Sequence, residues 1–181
     1  MKKRRLLMWL LAPVAALVAL LLLVTAIGLL LPRQHVASRT LKSRQSSENI
    51  WRAITDYEGQ TAWRKDLKKV ERLPDKDGHE VWREVYEDGS PLTMETTEMV
   101  APTRLVRTIK DEGGPFSGRW EYEIKPTGAG ASSLTITERG EVPNPFFRFV
   151  SRFVIGHTYF MERFQKDLAA KFGEEAVIVS E

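Results

Sequence analysis

The sequence contains no cysteine. Disulfides, thiolate metal sites, cysteine nucleophiles and lipid attachment through an N-terminal cysteine are therefore excluded, although this absence does not assign a compartment. Histidines are few, and His35, His79 and His157 lie too far apart to show metal-ligand spacing. The chain also lacks a GxSxG motif, a phosphate-binding loop and a dinucleotide fingerprint. We therefore expect no metal site and no cofactor.

Acidic residues are missing from the first 33 positions, which hold five of the 27 basic residues. The rest of the chain then carries 22 basic against 24 acidic side chains. The net positive charge of the whole chain therefore comes from its first 33 residues, and we expect no nucleic-acid-binding face.

A stretch without any charge extends from Leu6 to Leu31. As a helix it would span about 39 Å, against a hydrocarbon core of about 30 Å. We predict a basic cytoplasmic tail at 1–5, a transmembrane anchor at 6–31 and a linker at 32–34. The positive-inside rule then predicts a single-pass inner (cytoplasmic) membrane protein with its N-terminus inside and its domain outside. A cleaved signal peptide is the alternative, although no small-x-small cleavage site follows Leu31.

The remaining chain alternates apolar and polar residues over many short stretches. This period of two predicts strands at 35–44, 67–73, 79–87, 92–100, 105–110, 119–125 and 132–142. One short helix that opens at Ser46 and a second at 60–65 are predicted between the first two strands. The alternation is typical of an antiparallel sheet with one buried face.

One long amphipathic helix is predicted from Asn144 to Gly173. Asn144 is a good N-cap, Pro145 suits the first helical position, and Gly173 provides the end. His157 lies near the centre of its aromatic stripe, either as a hydrogen-bonded core histidine or facing a ligand cavity. We expect an α+β fold in which a curved antiparallel sheet of about seven strands wraps around this helix, with a cavity between them. Residues 174–181 are predicted to form a frayed tail.

Three charged residues share strand parity with apolar neighbours, namely Glu98, Arg107 and Glu138. A buried carboxylate beside a histidine can act as a general acid or base, which makes Glu138 and His157 weak catalytic candidates. An Arg–Glu pair could instead hold the polar head of a ligand. Structural ion pairs, or a bulge that turns one residue outward, are further alternatives. Aromatic residues, which either form plain core or line the cavity, complete the ligand-binding candidates: Trp82, Tyr86, Trp120, Tyr122, Phe153, Phe160 and Phe164.

Two segments resemble a known family. The segment from Ser46, SSENIWRAITDYEGQTAWRKDLKKV, resembles the opening of START-like domains of the SRPBCC superfamily, especially the polyketide cyclase/dehydrase branch. Trp51, Asp56 and Trp63 match the Trp, Asp and Trp that are typical of that branch. The segment TITERGEVPNPFFRFVSRFVIG, from Thr135, is similar to membrane-anchored bacterial members. The resemblance covers about residues 35–173.

The resemblance implies a helix-grip fold with a deep hydrophobic cavity between the sheet and the terminal helix. Family members bind lipids, sterols, polyketides or plant metabolites, and a minority are cyclases. The family has no invariant catalytic set to carry over to this sequence, because one fold hosts many activities.

Three functions compete at this point. The first is a membrane-anchored domain that binds a lipid or another hydrophobic small molecule. The second is a cyclase/aromatase-type enzyme that uses polar cavity residues. The third is a protein-interaction module without a ligand, which would dock its partner through the sheet exterior or the loop at 113–116.

Overall fold

The computed structural model describes residues 2–109, 114 and 116–180, with side chains from residue 11 onward. The predicted docking loop at 113–116 therefore lies mostly outside the described residues, and Phe116 within it is 47% exposed. The chain divides into two compact units. Unit 1 comprises Met1–Arg33 and Val142–Gly156, and unit 2 comprises Gln34–Glu141 and His157–Glu181.

The described residues form helices and strands close to the predicted positions. The helices are α1 (Lys2–Leu30), α2 (Ser47–Thr55), α3 (Pro145–Phe149) and α4 (Tyr159–Lys171). The strands are β1 (Gln34–Ser43), β2 (Leu67–Lys76), β3 (His79–Tyr86), β4 (Pro91–Val100), β5 (Arg104–Ile109), β6 (Ser117–Gly128), β7 (Ala131–Glu141) and β8 (Val177–Val179). A 3₁₀ turn at Glu58–Ala62 replaces the second predicted short helix, and a π-helical turn at Val150–Ile155 follows α3.

The strands of unit 2 form one antiparallel sheet in the order β2-β3-β4-β5-β6-β7-β1-β8. This confirms the predicted α+β fold, with eight strands rather than about seven. The additional strand is β8, which lies within the predicted frayed tail. It pairs with β1, so that Leu41 lies opposite Ile178. A three-residue strand is too short to show a readable period in the sequence.

The core of unit 2 lies on one face of the sheet, called the inner face here. Helices α2 and α4 contribute to the same buried cluster as the inner-face strand residues: Leu41, Ile50, Ile54, Leu105, Tyr122, Ile124, Leu134, Ile136, Met161, Phe164 and Leu168. Ser46 caps α2 by accepting a hydrogen bond from the backbone N–H of Asn49. The Gln165 amide of α4 donates to the carbonyl oxygens of Arg39 and Leu134, which fixes α4 against the sheet.

The predicted helix over 144–173 is interrupted between α3 and α4. Gly156 has a φ of 83°, a conformation that glycine adopts freely and that ends a right-handed helix. Asn144 caps α3 as predicted, by accepting from the backbone N–H of Phe146. Because of the break, the predicted aromatic stripe does not continue as one face. Phe164 is buried, whereas Phe153 and Phe160 are 60% and 50% exposed.

Helix α1 in unit 1 is long and apolar enough, over Leu11–Leu30, to cross a membrane by length and composition. A signal sequence near the N-terminus passes the same test. The described side chains from Leu11 to Leu23 are exposed.

The end of α1 packs closely against α3. A Cβ atom added at Gly28 would lie 1.8 Å from the carbonyl oxygen of Pro145, so a larger residue could not fit there. Arg148 donates hydrogen bonds to the carbonyl oxygens of Gly28 and Leu31, at 3.3 and 3.2 Å. The last carbonyl groups of an α-helix have no partner within the helix. Arg148 therefore caps the C-terminal end of α1.

Candidate functional site

A buried ion cluster lies on the inner face of the sheet. Strand β3 places Glu84 between two arginines, Arg107 from β5 and Arg64 from the turn that precedes β2. One carboxylate oxygen of Glu84 lies 2.5 Å from Nη1 of Arg107, and the other lies 2.9 Å from Nη1 of Arg64. The side chains of Glu84, Arg107 and Arg64 are only 3%, 3% and 8% exposed.

All three groups of this cluster stay charged. Burial alone would raise the pKa of Glu84, but the two guanidinium groups outweigh it and lower that pKa to about 2. Burial would lower the pKa of Arg64 and Arg107, but the Glu84 carboxylate reverses this and raises both above their usual value. The cluster is therefore a permanent set of charges in a low-dielectric setting rather than a proton donor.

Arg107 keeps donors that the protein does not use. Its Nε and Nη2 atoms are buried and have no hydrogen-bond partner among the described residues. Its guanidinium carbon lies 4.3 Å from the ring centre of Tyr57, whose hydroxyl group is in turn 3.0 Å from that of Thr96. Buried N–H donors without acceptors are costly, at roughly 1–3 kcal/mol each. These N–H groups can donate hydrogen bonds to the oxygen atoms of a bound molecule.

Aromatic side chains surround the ion cluster. The ring of Phe164 on α4 lies 5.4 to 6.1 Å from the rings of Trp63, Trp120 and Tyr122. The Arg64 guanidinium lies 5.4 Å from the Phe164 ring and 5.8 Å from the Tyr86 ring. The ion cluster therefore lies beside aromatic rings of the kind that line small-molecule sites.

A second polar cluster lies towards the end of the inner face where β1 begins. His35 Nε2 lies 2.8 Å from one oxygen of Glu138, and the indole N–H of Trp120 donates to the other oxygen at 2.7 Å. The His157 ring stacks on His35, with ring centres 3.8 Å apart. A carboxylate that holds an imidazole in this way can orient it for proton transfer.

Glycine at position 140 makes room for this second cluster. Gly140 pairs with His35 across β7 and β1, and a Cβ atom there would lie 2.3 Å from the His35 ring. A side chain at this position would therefore displace the imidazole from Glu138.

The structure separates the predicted site residues into three groups. Trp82, Tyr86, Arg107, Trp120, Tyr122, Glu138, His157 and Phe164 lie in or beside the two inner-face clusters of unit 2. Phe160, also in unit 2, is half exposed, and Phe153 belongs to unit 1. Glu98 lies on the outer face, where it accepts from Arg104 at 3.0 Å. The register shift between Thr96 and Glu98 reverses its predicted parity.

Three residues of the clusters were missed. Glu84 has the same parity as Trp82 and Tyr86, so the alternation of β3 could have predicted that it lies on the same face as these two residues. Arg64 follows an irregular turn, and His35 lies in a strand with weak alternation, so neither carries a periodic signal.

Two surface concavities stand out among the described residues, with volumes of about 310 and 280 Å³. The first is lined by residues at the start of α2 and at the β6–β7 turn. The second is lined by His35, Gly118 and Gly140, among others. Neither includes Arg107 or Phe164, so the deep cavity expected between sheet and helix is not one of them. Within the described residues, no group of three or more metal-ligating side chains is found.

A family model described as "Polyketide cyclase / dehydrase and lipid transport" matches residues 34–173. The chain belongs to this family. The match confirms the START-like resemblance, and it fits a ligand-binding domain in general. No curated protein is similar enough to match the chain.

Solved structures with the same fold include a START superfamily protein from Mycobacterium smegmatis, with 19% identity, a TM-score of 0.61 and coverage of 76% of this chain and 96% of that one. A truncated norcoclaurine synthase from Thalictrum flavum has 13% identity, a TM-score of 0.61 and coverage of 77% and 93%. The Zhui aromatase/cyclase from Streptomyces sp. R1128 has 16% identity, a TM-score of 0.51 and coverage of 60% and 68%. At these identities the likeness shows the fold alone.

Proposed function

We propose that this chain is a membrane-anchored START-like domain that binds a lipid or another hydrophobic small molecule on the inner face of its sheet. In this proposal Arg107 donates hydrogen bonds to an oxygen-bearing polar group of the ligand. The half-buried indole rings of Trp82 and Trp120 contact its apolar part. The membrane is the reservoir from which such a ligand is drawn.

The observation that carries the proposal is the pair of unused donors on Arg107. Glu84 already compensates the charge of Arg107 through Nη1, so Nε and Nη2 remain for another acceptor. A carboxylate, phosphate or carbonyl oxygen would remove the cost of leaving them unpaired. The surrounding aromatic rings suit an apolar body attached to that polar group.

Unit 1 supports an anchor that is retained rather than cleaved. The fit of Gly28 against Pro145 and the hydrogen bonds from Arg148 to Gly28 and Leu31 tie α1 to residues late in the chain. A signal sequence that is removed after export would lose these contacts, so they would not contribute to the stability of the mature protein. The basic residues Lys2, Lys3, Arg4 and Arg5, which precede the uncharged stretch, favour an N-terminus in the cytoplasm.

A protein-interaction module is the second candidate, and the packing beneath α4 favours it. Met161 and Leu168 are completely buried, and Phe164 is 5% exposed, against the inner-face strands. A core that is filled by its own side chains leaves a ligand room only after some of them move. The two candidate functions therefore make different predictions: only the ligand-binding domain should retain a bound small molecule when the protein is purified.

The test is to purify the full chain from its own host's membranes in a mild detergent and identify any small molecule that stays bound, by native mass spectrometry and extraction. Arg107→Lys is the informative variant, because lysine keeps the positive charge beside Glu84 but loses the planar guanidinium donors. Arg139→Lys is its matched control on the outer face, where the arginine side chain is 49% exposed.

We expect an apolar compound with an acidic or carbonyl group in the wild type and in Arg139→Lys, and its loss or strong depletion in Arg107→Lys. Near-UV circular dichroism checks that all three proteins are folded. Protein that stays empty even after incubation with host lipid extract would contradict ligand binding and favour the interaction module. Equal retention by both variants would contradict the role of Arg107.

A further inference from the structure

The π-helical turn of unit 1 exposes a run of apolar side chains that ligand binding leaves unexplained. Phe153, Val154 and Ile155 are consecutive and are 60%, 70% and 44% exposed. Phe147 on the adjoining α3 is 43% exposed. A concentrated apolar patch of this kind on a water-facing surface marks an interaction site.

The turn is held at one end of the apolar helix α1. Helix α3 touches α1 at Gly28, two residues before α1 ends at Leu30. Arg148 satisfies carbonyl groups at that same end. The last leucines of α1, Leu29 and Leu30, are themselves 63% and 87% exposed. The exposed Leu29 and Leu30 therefore lie at the end of α1 that packs against α3, and the π-helical turn follows α3 directly.

We propose that residues 145–155 form an interfacial membrane segment, on the side of the bilayer where α1 ends. Phe147, Phe153 and Val154 enter the boundary between headgroups and acyl chains, and the exposed Arg152 reaches the lipid phosphates. This inference rests on the proposed anchoring by α1. If α1 spans the bilayer, its C-terminal turn lies at the membrane surface, and whatever is fixed to that turn lies there too.

Two physical arguments select lipid as the occupant of this surface. Phenylalanine is typical of the apolar face of interfacial helices, which enters the boundary between headgroups and acyl chains by about 5–10 Å. The Arg148 side chain, which would be costly at this depth if unpaired, gives its donors to the carbonyl oxygens of Gly28, Leu31, Val142 and Pro143.

The absence of cysteine makes the test direct, because a single introduced cysteine can carry one nitroxide label. The labelled variants are Phe153→Cys and Val154→Cys in the full chain, reconstituted in phosphatidylcholine/phosphatidylglycerol vesicles. Leu21→Cys, in the middle of α1, reports on anchoring. Lys125→Cys, where the lysine side chain is 72% exposed on the sheet, is the aqueous control. Electron paramagnetic resonance then measures collision with oxygen, which dissolves in lipid, and with a water-soluble nickel complex.

We expect the labels at 153 and 154 to be shifted towards oxygen and away from nickel relative to position 125, with position 21 shifted furthest. Labels at 153 and 154 that collide with nickel as freely as position 125, while position 21 is in lipid, would overturn the inference and leave the anchor intact. A label at 21 that is itself in water would contradict the anchor. Spin–spin broadening at 154 would show contact with a second copy instead of lipid, and would also overturn the inference.

Discussion

The two faces of the sheet each hold a glutamate surrounded by arginines, but in different surroundings. On the inner face, Glu84 lies between Arg64 and Arg107, whose side chains are 8% and 3% exposed. On the outer face, Glu121 accepts from Arg104, Arg119 and Arg139, whose side chains are 31%, 50% and 49% exposed. The Glu121 side chain is itself only 11% exposed, so the two clusters differ most in how far their arginines are exposed to water.

Burial decides what each cluster contributes. An arginine at the surface keeps most of its hydration and loses little when its partner is removed. A buried arginine has given up its hydration and depends on its carboxylate, so the loss of that carboxylate leaves an uncompensated charge in the core. Removing the carboxylate of the inner cluster should therefore destabilise the fold strongly, whereas removing that of the outer cluster should cost little.

The largest expected effect is that of Glu84→Gln. We expect it to lower the free energy of unfolding by about 3–5 kcal/mol, because two buried guanidinium groups lose their countercharge. The matched change Glu121→Gln should cost about 1 kcal/mol or less. Urea unfolding of the full chain in mild detergent, followed by tryptophan fluorescence, measures both. Equal costs for the two variants would show that burial is not what separates the clusters.

Acid should reveal the same difference through the pKa of Glu84. Burial alone would raise that pKa, but Arg107 and Arg64 together outweigh burial and lower the pKa from 4.5 to about 2 in the folded state. The stabilisation is therefore complete above pH 4.5 and is lost as the pH falls towards 2, in total roughly 3 kcal/mol. Unfolding curves between pH 5 and 2 should show this loss in the wild type and a smaller one in Glu84→Gln. Parallel pH dependences in the two proteins would contradict the assignment.

Salt should produce the smallest effect, and only on the outer face. At about 1 M salt the screening length is about 3 Å, so the cost of Glu121→Gln should shrink towards zero. The cost of Glu84→Gln should change little, because ions do not enter the core. The two unfolding experiments repeated at low and high salt measure this. A cost of Glu84→Gln that falls with salt as steeply as that of Glu121→Gln would indicate that the inner cluster is open to solvent.

Regular alternation is what made the inner face predictable. Arg107, Trp120 and Glu138 were expected to share parity with apolar neighbours, and their strands do place them on the inner face. The same rule failed at Glu98, because a bulge in β4 changes the parity within the strand.

Hydrophobic periodicity in the sequence does not predict contacts between distant segments. Arg64 reaches Glu84 from an irregular turn, and His35 reaches Glu138 across 103 positions of the chain. The break at Gly156 was visible as a glycine in the sequence, but whether a helix continues through a glycine depends on what its two halves pack against. Helix periodicity alone therefore predicted one helix where the chain forms two.

The strand order has a consequence for aggregation. An open sheet offers unpaired backbone groups at its two edges, where a strand of another chain can add. One edge here is β8, which is only three residues long, and it covers part of the ten-residue strand β1. The other edge is β2, with exposed Lys68 and Lys69 and with Pro74 in a stretch of shifted register. Strand β8 thus blocks the addition of a neighbouring strand along the part of β1 with which it pairs, Thr40–Lys42.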